Sequence, residues 1–228
     1  LRQADAVKEK IIPIDFSSNR SAMLANIEAR KEAEKVLQND GVIVIFPSGQ
    51  IATKENLRFN TKANDGDITL GIVDGNNALT IDSGAGAVSI GVIGGETALS
   101  GLTINTAGGA GDNGNITLAG IGDGSPTYGV VGTVTVGNSL TNLLTFSGTS
   151  YDTDGVTTYE AKSGTDTIKI SSASAVEFIT NADNIRFKTG DILLDGGSST
   201  KITTGSGGAG DITIDADVDS ESATAENF

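Results

Sequence analysis

The chain has 228 residues, with 15 Lys and Arg against 29 Asp and Glu, a net charge of −14, no Cys, no Trp and only 4% aromatic residues. That length admits one or two domains with a substantial core. The composition excludes a disulfide-stapled module, opposes binding to nucleic acid, whose phosphates the acidity repels, and contains no apolar run near the roughly 20 residues that span a bilayer.

Charge and glycine divide the chain near residues 54–59. The first 57 residues hold eight basic and eight acidic residues and two of the 31 glycines, Gly41 and Gly49, so the imbalance lies entirely in the remainder. We read residues 1–56 as one segment, 57–217 as a repeat region and 218–228 as an acidic flexible tail. Leu1 to Lys10 is polar and charged, without the apolar stretch of a secretory signal.

Ile11 to Phe16 reads as a short strand, and Ser17-Ser18-Asn19 offers side-chain oxygens to cap a helix. Ser21 to Gln38 has a small apolar stripe of Ala22, Ala25, Ala29, Ala33 and Val36. Glu28, Lys31, Glu32 and Lys35 lie mostly outward, as in an amphipathic helix. Asn39-Asp40-Gly41 ends it. Val42 to Phe46 then reads as a strand buried on both faces, which completes a βαβ-like unit.

Beyond residue 57 come short runs in which apolar, polar and apolar residues alternate. They include Leu57-Arg58-Phe59, Ile68-Thr69-Leu70, Leu79-Thr80-Ile81, Val88-Ser89-Ile90, Leu102-Thr103-Ile104, Ile116-Thr117-Leu118, Val134-Thr135-Val136, Leu143 to Phe146, Ile168-Lys169-Ile170, Val176-Glu177-Phe178, Ile185-Arg186-Phe187, Ile192-Leu193-Leu194, Ile202-Thr203 and Ile212-Thr213-Ile214. Alternation gives each run one dry and one wet face. No run is long enough to bury its apolar residues alone, so stacking into one narrow continuous core is the economical solution. The expected fold is therefore mainly β, a parallel β-helix or β-solenoid, with the βαβ-like segment as its N-terminal cap. Many runs open with Gly-Asp-Ile or Gly-Asn-Ile, at Gly66, Gly114, Gly190 and Gly210. A longer echo, Asn56-Leu57-Arg58-Phe59-Asn60-Thr61 and Asn184-Ile185-Arg186-Phe187-Lys188-Thr189, points to internal duplication.

Chemistry is less legible. Gly207-Gly208-Ala209-Gly210-Asp211 approaches a calcium-binding β-roll repeat but brings its Asp one position early, as does Gly108 to Asp112. Calcium is the one cofactor considered, with Asp112, Asp211 and Asp215 as weak candidates. Asp152, Asp154, Asp217 and Asp219 read as solubilising acids. Seven basic residues scattered after residue 57 do not cluster to hold an acidic polysaccharide, and the Thr positions are single where an ice-binding face needs paired ranks. Tyr128, Tyr151 and Tyr159 read as packing over the ends of rungs, with a sugar-stacking surface as the other reading.

Two resemblances attach to these residues. Ile12-Pro13-Ile14-Asp15-Phe16, Asn26-Ile27-Glu28-Ala29-Arg30 and Val42 to Gly49 with Ala52-Thr53 resemble the glycerolipid (lysophospholipid) acyltransferase family. That likeness implies an acceptor-phosphate turn at Phe46, Pro47 and Gly49, with Ser48 where many members carry Glu. The family's catalytic His, four residues before an Asp, has no counterpart, because the chain has no His. The turn is thus read as vestigial and no catalytic residue is assigned. The repeats, such as Leu79 to Gly86 and Gly101 to Asn105, resemble repetitive surface proteins of the filamentous-haemagglutinin and adhesin type. This implies a secreted, cell-surface, non-enzymatic structural or adhesive segment. Its expected partners are a host-surface glycan or protein, or further copies meeting at solenoid ends. The alternative is a remnant of a glycerolipid acyltransferase fused to a repeat region, or a chimeric sequence with no evolved function as a unit.

Overall fold

The computed structural model describes residues 27–29, 31, 35, 56–105, 111–122, 128–196, 199–205 and 210–220. The chain divides into two compact units, Leu1–Pro47 and Ser48–Phe228. In the first unit Ile27, Glu28, Ala29, Lys31 and Lys35 are α-helical, within the span the sequence assigns to a helix. Lys31 Nζ donates to Glu28 Oε1 at 2.7 Å, and this bond, with the Lys31 charge, holds the Glu28 carboxyl below its ordinary range. The flanking strands, the capping role and the Phe46, Pro47 and Gly49 turn lie outside the described residues.

The second unit is a parallel β-solenoid, with fifteen strands among the described residues. They are β1 (Asn56–Asn60), β2 (Ile68–Leu70), β3 (Ala78–Asp82), β4 (Val88–Ile93), β5 (Gly101–Ile104), β6 (Ile116–Ile121), β7 (Val134–Gly137), β8 (Leu144–Phe146), β9 (Ser150–Asp152), β10 (Thr157–Ile170), β11 (Val176–Ile179), β12 (Ile185–Leu194), β13 (Thr200–Thr203), β14 (Ile212–Asp215) and β15 (Val218–Ser220). All pairs are parallel, as crossover-connected strands stacked rung on rung must be.

Face one runs β1, β3, β5, β7, the first part of β10, the first part of β12, then β14. Face two runs β2, β4, β6, β8, the second part of β10, the second part of β12, then β15. Face three is built from Val73, the end of β4, the end of β6, β9, β11 and β13. Leu57, Leu79, Leu102, Val134, Thr157, Ile185 and Ile212 form one column along face one. Measured along this column, a turn takes from 22 residues, Leu57 to Leu79, to 32, Leu102 to Val134. Each short run read from the sequence is one face of a three-faced turn.

Inward columns make the core. Phe59, Ile81, Ile104, Val136, Tyr159, Phe187 and Ile214 line face one beside the Leu57 column. Ile68, Val88, Ile116, Leu144, Ile168, Ile192 and Val218 line face two. All the residues of these columns between the first and last turns are buried. The Asn56 to Thr61 echo is explained by the register: Leu57 and Ile185 share a column, as do Ile68 and Ile192. The copy at Gly210 differs, because Ile212 lies on face one and Ile68, Ile116 and Ile192 lie on face two.

Three strands lie outside the runs read from the sequence: β9, the start of β10, and β15. The last lies in the stretch assigned to a flexible tail, yet Val218, Asp219 and Ser220 pair with Ile192, Leu193 and Leu194. Tyr151 and Tyr159 do not sit over rung ends or line an outer surface. Both are buried, and with Phe146, Phe178 and Phe187 they fill the interior where all three faces meet. Phe146 lies 4.8 Å from each tyrosine ring and 5.0 Å from Phe178, all edge-on, and Tyr151 stacks on Phe178 at 4.7 Å. Such geometries are the favoured ones for aromatic pairs.

Candidate functional site

The polar residues that matter most sit at the corners, and the Gly-Asp-Ile motif shows why. Gly66, Gly86 and Gly114 each stand two residues before a strand of face two. A Cβ on Gly86 would lie 2.4 Å from the Gly66 carbonyl oxygen, and one on Gly114 only 2.1 Å from that of Gly86. Backbone rests directly on backbone at this corner, which only glycine permits. The next residue is an acceptor. Ala87 N–H donates to Asp67 Oδ1 at 2.8 Å, Asp217 N–H to Asp191 Oδ1 at 3.4 Å and, at the opposite corner, Asp211 N–H to Asn184 Oδ1 at 2.8 Å. Asp65 and Asp74 act alike toward Ala85 and toward Glu96 and Thr97. The third residue, Ile, points into the core.

Between faces one and two, buried polar side chains link successive turns. Asn105 Oδ1 accepts from Ser83 N–H and Asn105 Nδ2 donates to Ser83 Oγ, each at 2.8 Å. Asn138 Nδ2 donates to the Asn105 and Asp112 carbonyls at 2.5 and 3.0 Å. Thr141 Oγ1 accepts from Asn138 N–H at 3.0 Å. Buried amides need such full engagement to avoid a desolvation penalty.

Asp112, fully buried, receives Lys62 Nζ at 2.6 Å on Oδ1 and 2.7 Å on Oδ2, and Asp82 stands 4.0 Å from the same ammonium. The hydrogen bond to Asp112 raises the Lys62 pKa, against the opposing effect of desolvation. A protein cation occupies the place where a metal would be sought. The other calcium candidates are not brought to it: Asp211 precedes β14, and Asp215 ends that strand and accepts from Arg186. Among the described residues no group of three or more His, Cys, Asp or Glu is placed to hold a metal ion. Asp152 is buried, and Asp154 accepts from Asn181 Nδ2 at 2.7 Å.

Basic residues are likewise joined to acids of the adjacent turn: Lys169 with Asp195 at 2.6 Å, Lys188 with Glu160 at 3.1 Å, Lys201 with Glu177 at 2.5 Å, and Arg186 with Asp215. Exposed pairs of this kind contribute at most about 1 kcal/mol each.

What remains for an external partner is the outer surface of the faces. Arg58, Thr80, Thr103, Thr135, Thr158, Arg186 and Thr213 form one outward column along face one, in unbroken register. Neighbouring strands stand roughly 4.8 Å apart, so the hydroxyls repeat at that interval. Thr69, Ser89, Thr117 and Thr145 form a second column on face two. Irregular sequence spacing concealed these rows, because corner lengths vary while register does not. The signal was present in the polar middle residue of each run.

Among the described residues no helix is long and apolar enough to cross a membrane. In comparisons with known proteins, no family model, no curated protein and no solved structure matches the chain.

Proposed function

We propose that this chain is a non-catalytic structural or adhesive segment of an extracellular surface protein of bacterial type, presenting its flat faces to a host-surface glycan or protein. The observation that carries this reading is the outward column from Arg58 to Thr213, a straight row of hydroxyls and guanidinium groups on a stacked parallel scaffold. Corner acids and most of the basic residues are engaged in holding turn to turn, which supports a scaffold role more than a reactive one. Threonine hydroxyls in a fixed row suit the repeated hydroxyls of a glycan or the exposed amides of a protein, by hydrogen bonding without a deep pocket.

The test is binding of the labelled chain to glycan arrays and to intact host cells, beside a Thr103→Val/Thr135→Val variant. Valine keeps the β-branched shape and removes only the hydroxyl. Saturable binding weakened about tenfold in the variant, with an unchanged thermal melt, is the expected result. Binding no greater than that of an unrelated acidic protein, on arrays and cells alike, overturns it.

A further inference from the structure

We infer, on the reading that face one meets an external partner, that its ligand is an uncharged, extended glycan of β-1,4-linked pyranoses. The chain of sugars lies along the solenoid axis, one sugar to a turn, over Thr80, Thr103, Thr135 and Thr158.

These threonines stand on β3, β5, β7 and β10, each paired with a strand on both sides, and Thr80, Thr103, Thr135 and Thr158 follow one another in register. All four are half-buried between their neighbours, and their hydroxyls make no hydrogen bond among the described residues. By contrast, the hydroxyls of Thr61, Thr141, Thr153, Thr157, Thr167 and Thr180 are all engaged in holding the fold. A threonine hydroxyl both donates and accepts, so an unengaged row of them can pair with sugar hydroxyls in either sense.

A second column runs beside the first. Ala78, Gly101, Thr133 and Val156 each precede one of the threonines by two residues and so lie on the same outward side. Ala78 pairs with Gly101, and Val156 is 43% exposed. Over these four turns neither column carries a charge, in a chain of net charge −14. The acids at the other edge face cations of the chain itself, Glu160 with Lys188 at 3.1 Å and Asp82 with Lys62 at 4.0 Å. An anionic glycan would thus meet no cation in either column. An uncharged pyranose fits both: its hydroxyls meet the threonine row, and its apolar C–H face meets the small side chains.

Dimensions select the form of the ligand. Strands repeat at roughly 4.8 Å, and an extended β-1,4-linked chain advances by close to that distance per sugar, whereas an α-1,4-linked chain coils away from a straight row. The strip measures roughly 19 Å by 7 Å. That is far below the roughly 800 Å² that one side of a stable protein interface covers, so one extended chain fills it and a globular partner does not.

Calorimetric titration of the full chain with β-1,4-linked oligomers of glucose and of N-acetylglucosamine, in increasing lengths, tests this. Oligomers of α-1,4-linked glucose and of galacturonate serve as comparisons. The expected affinity for one β-1,4-linked series rises to about four sugars, one for each threonine, then levels, and does not change with salt. It falls about tenfold in Thr103→Val/Thr135→Val, whose thermal melt stays unchanged. Tighter binding of galacturonate that weakens with salt overturns the inference, as does equal binding of the α-linked oligomers. Failure of every β-1,4-linked oligomer overturns it too. In that case, capture on host cells that Thr103→Val/Thr135→Val still weakens leaves the surface role standing with another partner, whereas no capture on arrays or cells removes both.

Discussion

The side chain of Asp67 does for Ala87 what a backbone carbonyl does elsewhere in the ladder. It accepts the Ala87 N–H at 2.8 Å, while the Ala87 carbonyl in turn accepts from Ile68 N–H at 2.8 Å. Asp67 and Ile68 thereby engage both backbone polar groups of Ala87, its N–H and its C=O, just where the chain leaves the corner and enters the strand.

Replacing Asp67 by Ala removes that acceptor, and we expect a loss of about 0.5–1.5 kcal/mol in chemical denaturation. Asp67→Asn retains a carbonyl oxygen in the same place and should recover most of it. Equal loss in both variants would mean that charge, and not acceptance of the N–H, is what Asp67 supplies.

Tyr151 and Tyr159 are both buried but differ at the hydroxyl. Tyr151 Oη donates to the Leu118 carbonyl and accepts from Gly148 N–H, each at 2.9 Å, whereas the Tyr159 hydroxyl is buried without a hydrogen-bond partner. Tyr151→Phe should therefore lower stability by about 1 kcal/mol or somewhat more. Tyr159→Phe should be neutral or stabilising. Equilibrium unfolding of the two variants side by side decides it.

Burial pushes the ionisation of both tyrosines above the ordinary value, so their neutral forms are favoured in the fold. The stability this contributes is complete below the unfolded-chain pKa of about 10 and is lost as pH rises beyond it. Lys62, also raised, contributes in the same direction over the same window. Tyr128, which is partly exposed, is raised by burial and by the charges of Asp152 and Asp154. In an alkaline titration followed by tyrosinate absorbance, we expect Tyr128 to ionise first and reversibly. The other two should ionise together, in step with loss of the β spectrum.

Removing Lys62 leaves the Asp112 carboxylate buried without its ammonium. Lys62→Met should lower the melting temperature, and adding Asp112→Asn should restore part of the loss, a positive coupling in a double-mutant cycle. Because Lys62 sits at that carboxylate, millimolar calcium should leave the native melting temperature unchanged. A rise abolished by Asp112→Asn would support the calcium reading.

The alternation of apolar and polar residues made most strands of the solenoid readable, because inward columns tolerate only apolar side chains. Two of the three strands that escaped, the start of β10 and β15, have a polar residue facing in. Thr157 heads its strand from the Leu57 column and is buried, its hydroxyl satisfied by Thr153 Oγ1 at 2.7 Å and the Gly155 carbonyl at 3.1 Å. Ser220 takes the place that Leu194 holds one turn earlier. The period was obscured for a different reason: corners lengthen without disturbing register, so equal positions are 22 residues apart in one turn and 32 in another. Corner acids were visible but read as solvating groups, since the N–H each one caps lies about a full turn away in sequence.

The five clustered rings occupy β8 to β12, while the turns before them, Phe59 of the first turn apart, are filled by Ile, Leu and Val. In a molecule where each turn touches mainly its neighbours, stability is a sum of local terms along a line. Unequal filling therefore becomes unequal resistance along the axis. Under tension, the turns from β1 to the aromatic block would yield before that block does, giving a stepped extension where a uniform solenoid would yield smoothly.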